Sequence, residues 1–549
     1  MSIVRRVASV VLTVLACLLV WLCLVFPNEL RTLSPGMFVL VPLEALAFVG
    51  VILLLPSRAG RYVAVGVGVL LGVLTILRIL DAGFYASLGR PFNPEVDWSY
   101  AGSAFDLLGD AIGRSKARLV AIAAAAFAVL LLVFVPLAVL RLSRIVDRHR
   151  PAALRGVVAL GVAWIILALL GVQSAPGEPT ASTSTGGLAV SAVGRVYSGF
   201  QDQRTFAAAT AVDKYRNTPG DQLLTALRGK DVLLAFVESY GRVAVEDPTI
   251  SPPITALLDS GTSRLAAAGF SAKSGFLTSS TYGGISWLAH STLQTGLWIN
   301  NQRRYDDVIH SDRFNLSSAF KRAGWRTVSD IPSDNRAWPP GRRFYHYDQL
   351  YDSRNVGYVG PKFSYAPIPD QYTLAALRRL ELDKPGHAPV MAEIDFVSSH
   401  TPWTPLPRMV GWNSLGNGSV YNGMPQQGQP PSVVWRDSNA VRAQYGKSIQ
   451  YSLSALISYL ETFHDDNLVM VMLGDHQPAT IVSGHDASHD VPISIIAHDP
   501  DVLDRIASWS WQDGLRPGPT APVWPMDTFR DRFLAAFGPN PPAGPAQRS

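Results

Sequence analysis

Five long apolar runs precede residue 175, and nothing else in the chain restricts its fold so strongly. They lie near residues 7–26, 36–55, 62–80, 119–140 and 155–173. Each approaches the roughly 20 residues that a helix needs to cross a bilayer. A buried helix of a soluble domain explains one such run, but not five in succession. The first run is long for a signal peptide, lacks a clear small-residue cleavage site and precedes four more. The expectation is a five-span α-helical transmembrane domain over residues 1–173.

Charge placement orients these spans. Arg5 and Arg6 precede the first, Arg58 and Arg61 separate the second and third, and Arg141, Arg144, Arg148, Arg150 and Arg155 crowd the fourth connection. All fall on one side, which the positive-inside rule makes cytoplasmic. Arg114, Lys116 and Arg118 lie on the other side and count against it. Five crossings then put the remaining chain outside the cytoplasm. Residues 1–175 hold 15 Lys/Arg and 8 Asp/Glu, and the remainder holds 32 and 34. The net charge of +5 therefore reports membrane topology and speaks against a nucleic-acid partner. The two cysteines, Cys17 and Cys23, both sit in the first span, so the outer part has no disulfide and no thiol nucleophile.

Residues 174–190 are rich in Ser, Thr, Gly and Pro, the composition of a linker, and 174–229 read as a linker and connecting segment with some helix after residue 190. From 230 to 538 strands and helices alternate. Asp231–Val237, Val390–Val397, Leu468–Leu473 and Val491–Ala497 read as strands. Ser438–Phe463 reads as a long amphipathic helix with Leu453, Ile457 and Leu460 on one stripe. This alternation predicts an α/β domain with a largely parallel sheet covered on both faces. Residues 539–549, rich in Pro, Gly and Ala, read as a flexible tail.

Two strand ends carry the chemistry. One is Phe236-Val237-Glu238-Ser239-Tyr240-Gly241, and the other is Leu473-Gly474-Asp475-His476. Open α/β sheets bind ligands at the carboxyl edge of their strands. Glu238, Asp475 and His476 are residue types that ligate zinc or manganese. The run Thr281-Tyr282-Gly283-Gly284-Ile285-Ser286 places a hydroxyl at an expected helix start, where free N–H groups and the dipole favour an alkoxide or a phosphate. Ser398-Ser399-His400-Thr401-Pro402-Trp403 follows another strand. There His400 is a candidate proton donor or phosphate contact, and Trp403 a candidate pocket wall. Each motif alone also has a plain structural explanation: a solvated carboxylate, a turn, a helix cap or a satisfied loop histidine.

Together and in this order, the motifs resemble the lipoteichoic acid synthase-like membrane phosphotransferases of the alkaline phosphatase/sulfatase superfamily. Five N-terminal spans before an extracytoplasmic domain match that pattern as well. The resemblance implies an alkaline phosphatase-like catalytic domain at 230–538. It implies that Glu238, Ser286, Asp475 and His476 hold one divalent ion, manganese before zinc or magnesium. Ser286 becomes the nucleophile of a covalent phospho-enzyme, and His400 contacts the substrate phosphate. Arg342 or Arg343 falls where an arginine of that family meets substrate. The family's nucleophile is usually Thr, so Ser280, Thr281 and Thr292 remain the other candidates. No Cys- or Ser-x-Pro-x-Arg motif lies near Ser286, which disfavours sulfate-ester hydrolysis. The implied donor is a membrane phospholipid, the implied acceptor an envelope glycan or lipid, and the headgroup glycerol phosphate. Phosphoethanolamine transfer, phosphodiester hydrolysis and an inactive envelope scaffold are the alternatives. Oligomeric state is not legible in the sequence.

Overall fold

The computed structural model describes residues 3–175 and 178–539. The expected tail at 540–549 lies outside the described residues. The chain divides into two compact units, with the main boundary between Asp202 and Gln203.

The first unit is helical. Its main helices are α1 (Ile3–Val25), α2 (Leu43–Leu54), α3 (Ser57–Leu88), α4 (Arg114–Arg148) and α5 (Arg150–Leu169). Four of them are long and apolar enough to cross a membrane, and α2, with 12 residues, is not. At 1.5 Å per residue α2 spans only about 18 Å. Pro35 precedes the second apolar run and Pro42 interrupts it, so its first half forms a 3-10 turn (Pro35–Val39) and the extended pair Val41–Pro42.

The five runs nevertheless make five passes of the bundle. Arg141 near the end of α4 bonds to Ser9 and Thr13 of α1. The Cβ position of Gly68 on α3 meets Pro136 of α4, and that of Gly72 meets Leu131 and Leu132, so these helices run antiparallel. Arg150, opening α5, donates to the carbonyls of Leu53 and Leu55 at the end of α2. At the opposite end, Arg78 of α3 donates to Cys23 O of α1 and to Thr185 beyond α5. There too Val41–Pro42 pairs with Ala181–Ser182. The chain therefore enters at one end of the unit, together with the arginines of the α4–α5 connection, and leaves at the other.

Beyond these passes, the linker-like composition does not prevent a helix: α6 spans Ser184–Ala211. From Gln203 onward the chain belongs to the second unit, where Phe206, Leu223, Leu224 and Leu227 are buried in its core.

The second unit is built on a nine-stranded sheet. Its strands are β1 (Asp231–Val237), β2 (Ser271–Thr278), β3 (Arg326–Ile331), β4 (Gln349–Asp352), β5 (Val390–Phe396), β6 (Leu468–Gly474), β7 (Asp490–Ala497), β8 (Gln512–Asp513) and β9 (Val523–Pro525). The order is β8-β2-β7-β6-β1-β5-β3-β4, with β9 beside β2. From β6 through β1, β5 and β3 to β4 every pairing is parallel, and β7 runs antiparallel to both β6 and β2. The four strands read from sequence all form, within a residue of their expected limits.

Side-chain alternation divides the interior between the two faces. Leu233, Ala235 and Val237 of β1 join one core, with α7 (Ser251–Ala267) and α9 (Ser438–Phe463) packed over it. Val232, Leu234 and Phe236 join the other, under α8 (Ser286–Thr295) and the C-terminal Phe529–Ala536 helix. In α9, Leu453, Ile457 and Leu460 are all buried, as their stripe predicts.

Candidate active site

Glu238 continues the alternation of β1 beyond its last residue. Its N–H donates to Phe396 O of β5, and its side chain falls on the face of Phe236, toward α8. Asp475 and His476 follow β6, the parallel neighbour of β1. Gly474 lets the two strand ends approach: a Cβ there would collide with the carbonyl oxygen of Tyr240.

Ser286 is the first residue of α8. The turn before it is left-handed, with Gly283 at φ 73° and Ile285 at φ 68°. A β-branched residue in that region is strained, and Ser239, beside Glu238, shares it at φ 58°. The strain lies on both sides of one cluster. Ser286 Oγ donates to Glu238 Oε2 at 2.8 Å and lies 3.2 Å from His476 Nε2. His476 Nε2 is 3.4 Å from Glu238 Oε1 and 3.5 Å from Asp475 Oδ2. The sheet edge and one helix start thus bring together Glu238, Ser286, Asp475 and His476.

The cluster suits a divalent cation. His476 Nδ1 faces the carbonyl of Gln477 at 2.8 Å, which places the proton on Nδ1 and turns the Nε2 lone pair into the site. Asp475 Oδ1 accepts from the N–H groups of Ser239 and His476, while its buried Oδ2 has no hydrogen-bond partner among the described residues. An orphaned carboxylate oxygen is costly unless a cation meets it. Ion–ligand bonds of about 2.0–2.1 Å in a tetrahedron place neighbouring ligand atoms about 3.4 Å apart, the spacing found here. Burial opposes the charge of Glu238, but His400 and His476, when protonated, and the hydroxyls of Ser239 and Ser286 outweigh it and hold its carboxyl down at about 2. Burial and the adjacent Glu238 charge push Asp475 the other way, above its ordinary value.

His400 lies within electrostatic reach of Glu238. Its ring stacks on Tyr365 at 3.5 Å and 12°, and its Nδ1 faces Thr401 O at 2.6 Å. The turn that carries it is clamped by Asp370, whose Oδ1 accepts from the N–H groups of Val397 and Ser398.

Trp403 does not form a pocket wall. It is 1% exposed, stacked on Trp435 at 5.7 Å and edge-on to Tyr445. The second core takes no part in this; the ring belongs to the α9 side of the sheet, where its apolar area is better buried than offered to a ligand. Arg342 and Arg343 lie on the short helix Pro339–Arg343. Arg342 donates to Asp348 O and lines a cleft of about 290 Å³ with Asp334, Arg336 and Trp338. Arg343 lines a different, basic cleft with Arg216, Lys321 and Arg322. Among the described residues, neither arginine bonds to the cluster around Ser286. Of the other hydroxyl candidates, Ser280 and Thr292 bond to each other, and Thr281 Oγ1 is buried without a partner among the described residues.

Several supporting residues escape sequence reading. Ser239 serves both carboxylates, through its N–H to Asp475 and its Oγ to Glu238. Ser399 and Ser279 donate to the carbonyls of Glu238 and Asp475. Ser239 and Ser399 stand within the motifs already noted, but nothing local distinguishes their roles.

No family model and no curated protein matches the chain. Solved structures resemble it distantly. The lipoteichoic acid synthase LtaP from Listeria monocytogenes shares 14% identity at a TM-score of 0.37, over 57% of this chain and 73% of that one. The C-terminal periplasmic domain of EcEptC from Escherichia coli shares 10% at 0.35, over 56% and 82%. The phosphoglycerol transferase GacH of Streptococcus pyogenes, in complex with sn-glycerol-1-phosphate, shares 13% at 0.34, over 61% and 91%.

Proposed function

We propose that this chain is a metal-dependent membrane phosphotransferase, with residues 1–173 as membrane domain, 174–229 as connecting segment and 230–538 as catalytic domain. The observation that carries the reading is the Ser286 hydroxyl, held at a helix N-terminus against Glu238 and His476. Glu238, Ser286, Asp475 and His476 would hold one divalent ion, manganese before zinc or magnesium. That ion, when bound, supplies positive charge to phosphate oxygens and lowers the pKa of a neighbouring hydroxyl.

The remaining steps belong to the protein's own groups. Ser286 Oγ, with its proton directed at Glu238, attacks the phosphorus of a phospholipid headgroup. A Ser–phosphate bond forms and the bond from phosphorus to the diacylglycerol oxygen breaks. His400 gives that oxygen a proton. An acceptor hydroxyl on an envelope glycan or lipid then attacks the same phosphorus and gives its proton to His400; the Ser–phosphate bond breaks, Ser286 Oγ takes back its proton from Glu238, and the headgroup phosphate, glycerol phosphate in the leading version, passes to the acceptor. The N–H groups at the start of α8 face the charge that builds up. Arg342 or Arg343 is the candidate for a further substrate contact. The five passes and the arginines at the chain's entry end support a cytoplasmic N-terminus and an extracytoplasmic catalytic domain.

The test uses the purified full-length protein with manganese and labelled phospholipids. Diacylglycerol release from phosphatidylglycerol, with a phosphorylated Ser286 peptide, supports glycerol phosphate transfer. Release from phosphatidylethanolamine keeps the mechanism and replaces the headgroup. Full turnover by Ser286→Ala with its metal retained removes Ser286 as the nucleophile.

A further inference from the structure

Helix α8 presents three polar residues at four-residue intervals along one face: Ser286, His290 and Gln294. Ser286 belongs to the cluster above. His290 belongs to another. It is 9% exposed, and its ring stacks on Phe236 at 3.8 Å and 16°. Its Nδ1 points into a gap between two carboxylates, 3.5 Å from Glu393 Oε1 and 3.4 Å from Asp395 Oδ1.

Both carboxylates come from β5. Glu393 and Asp395 are two residues apart, so they share the face of the sheet that α8 covers. Asp395 is the register partner of Phe236, which sets it beneath the His290 ring. Glu393 is fixed from behind. Its Oε2 accepts from Tyr347 Oη at 2.8 Å and from Gln294 Nε2, which leaves Oε1 turned toward His290. Asp395 Oδ1 is buried and, among the described residues, has no hydrogen-bond partner.

The spacing is that of a ligand set. The three ligand atoms lie within 4.8 Å of one another. The two measured edges of 3.4 and 3.5 Å repeat those between His476 and its carboxylates in the first cluster. They also match the separation of about 3.4 Å expected around a tetrahedral ion with bonds of about 2.0–2.1 Å. Charge leads to the same conclusion. Glu393, buried, and Asp395, half-buried, repel as neighbouring carboxylates, and one imidazolium offsets only half of their charge. A divalent ion with a neutral imidazole balances them fully. One nitrogen and two carboxylate oxygens, without sulfur, form a set suited to zinc or manganese.

We propose that His290, Glu393 and Asp395 form a second divalent-cation site, separate from Glu238, Asp475 and His476. Tyr347 and Gln294 orient Glu393, as outer partners do in metal sites. An ion here ties α8 to β5 one helical turn from Ser286, so the residues of this site position the hydroxyl without touching substrate. The site stands on its own geometry, whether or not the chain transfers phosphate.

The test counts ions. The full-length protein in detergent is stripped with a chelator, reloaded separately with excess Zn²⁺ or Mn²⁺, freed of unbound ion and analysed for metal per chain. Two ions are expected in the wild type, one in Asp395→Asn and one in His290→Gln. The ion left in Asp395→Asn should be lost when Glu238→Gln is added. A single ion in the wild type that Asp395→Asn retains overturns the proposal. Two ions in both wild type and Asp395→Asn overturn it as well. Asp395→Asn preserves side-chain size, and its count set beside the wild type's decides the matter even if His290→Gln fails to fold. A single ion lost in Asp395→Asn but kept in Glu238→Gln upholds this site and removes the ion from the proposed catalytic cluster.

Discussion

The hydroxyl of Ser286 donates to Glu238 Oε2 at 2.8 Å, joining the first residue of a helix to the end of a central strand 48 positions earlier. This bond defines the direction in which the nucleophile's proton points, and it places the hydroxyl within 3.2 Å of His476 Nε2.

Replacing Ser286 with Ala should abolish the phospho-enzyme and lower turnover about a thousandfold or more, the scale on which nucleophile deletions act. The ion should stay, because Glu238, Asp475 and His476 are untouched. Turnover on labelled phospholipid and metal content of the same sample check both halves. Ser286→Thr should recover part of the activity.

Removing the metal should lower thermal stability. An ion present at a hundred times its Kd contributes about 2.7 kcal/mol to the folded state. Chelation should therefore lower the melting temperature of the wild type and of Ser286→Ala. Asp475→Asn should show a smaller response, since it loses the charge of the orphaned oxygen. Differential scanning fluorimetry with and without chelator measures this; equal shifts in wild type and Asp475→Asn would count against the ligand assignment.

Asp370 should give the folded protein a pH dependence of its own. Burial raises its carboxyl to about 6, against hydrogen bonds from Ser452, Ser398 and Val397 that pull it down. The folded state therefore holds this proton more tightly than the unfolded chain. Its stabilising contribution is complete below the ordinary carboxylate value near 4 and is lost as pH rises through about 6. The span is worth about 3 kcal/mol. Denaturant melts between pH 4 and 7 should show this fall in the wild type and lack that component in Asp370→Asn. In the same variant His400 should be held less firmly, with lower turnover and unchanged metal content.

Gly474→Ala should destabilise the catalytic unit. The new methyl group would strike the Tyr240 carbonyl, so the ends of β6 and β1 must separate, at a cost of about 1–3 kcal/mol for overpacking. Urea melts report the loss of stability. Metal content should fall too, because Glu238 and Asp475 occupy those same two strand ends.

Local pattern accounts for much of this architecture. The apolar runs, the four strands and the Ser438–Phe463 helix were legible because burial imposes its period directly on the side chains. The second span was less so: its apolar content is continuous, but Pro35 and Pro42 limit the helix to Leu43–Leu54. Trp403 was misleading because an aromatic residue after a strand looks alike in a pocket wall and in a core; only its packing against Trp435 and Tyr445 separates the two.

The sequence by itself determined the membrane-spanning character of the first part, the α/β character of the second, and the strand ends that present Glu238, Asp475 and His476. These are local matters of hydropathy, periodicity and residue chemistry. Only the tertiary structure decided which side chains meet. Parallel pairing brings β1 beside β6, a left-handed turn aims Ser286 at Glu238, and α8 lays His290 over Glu393 and Asp395. Such contacts depend on strand order and helix placement across hundreds of residues, and side-chain period carries no record of either.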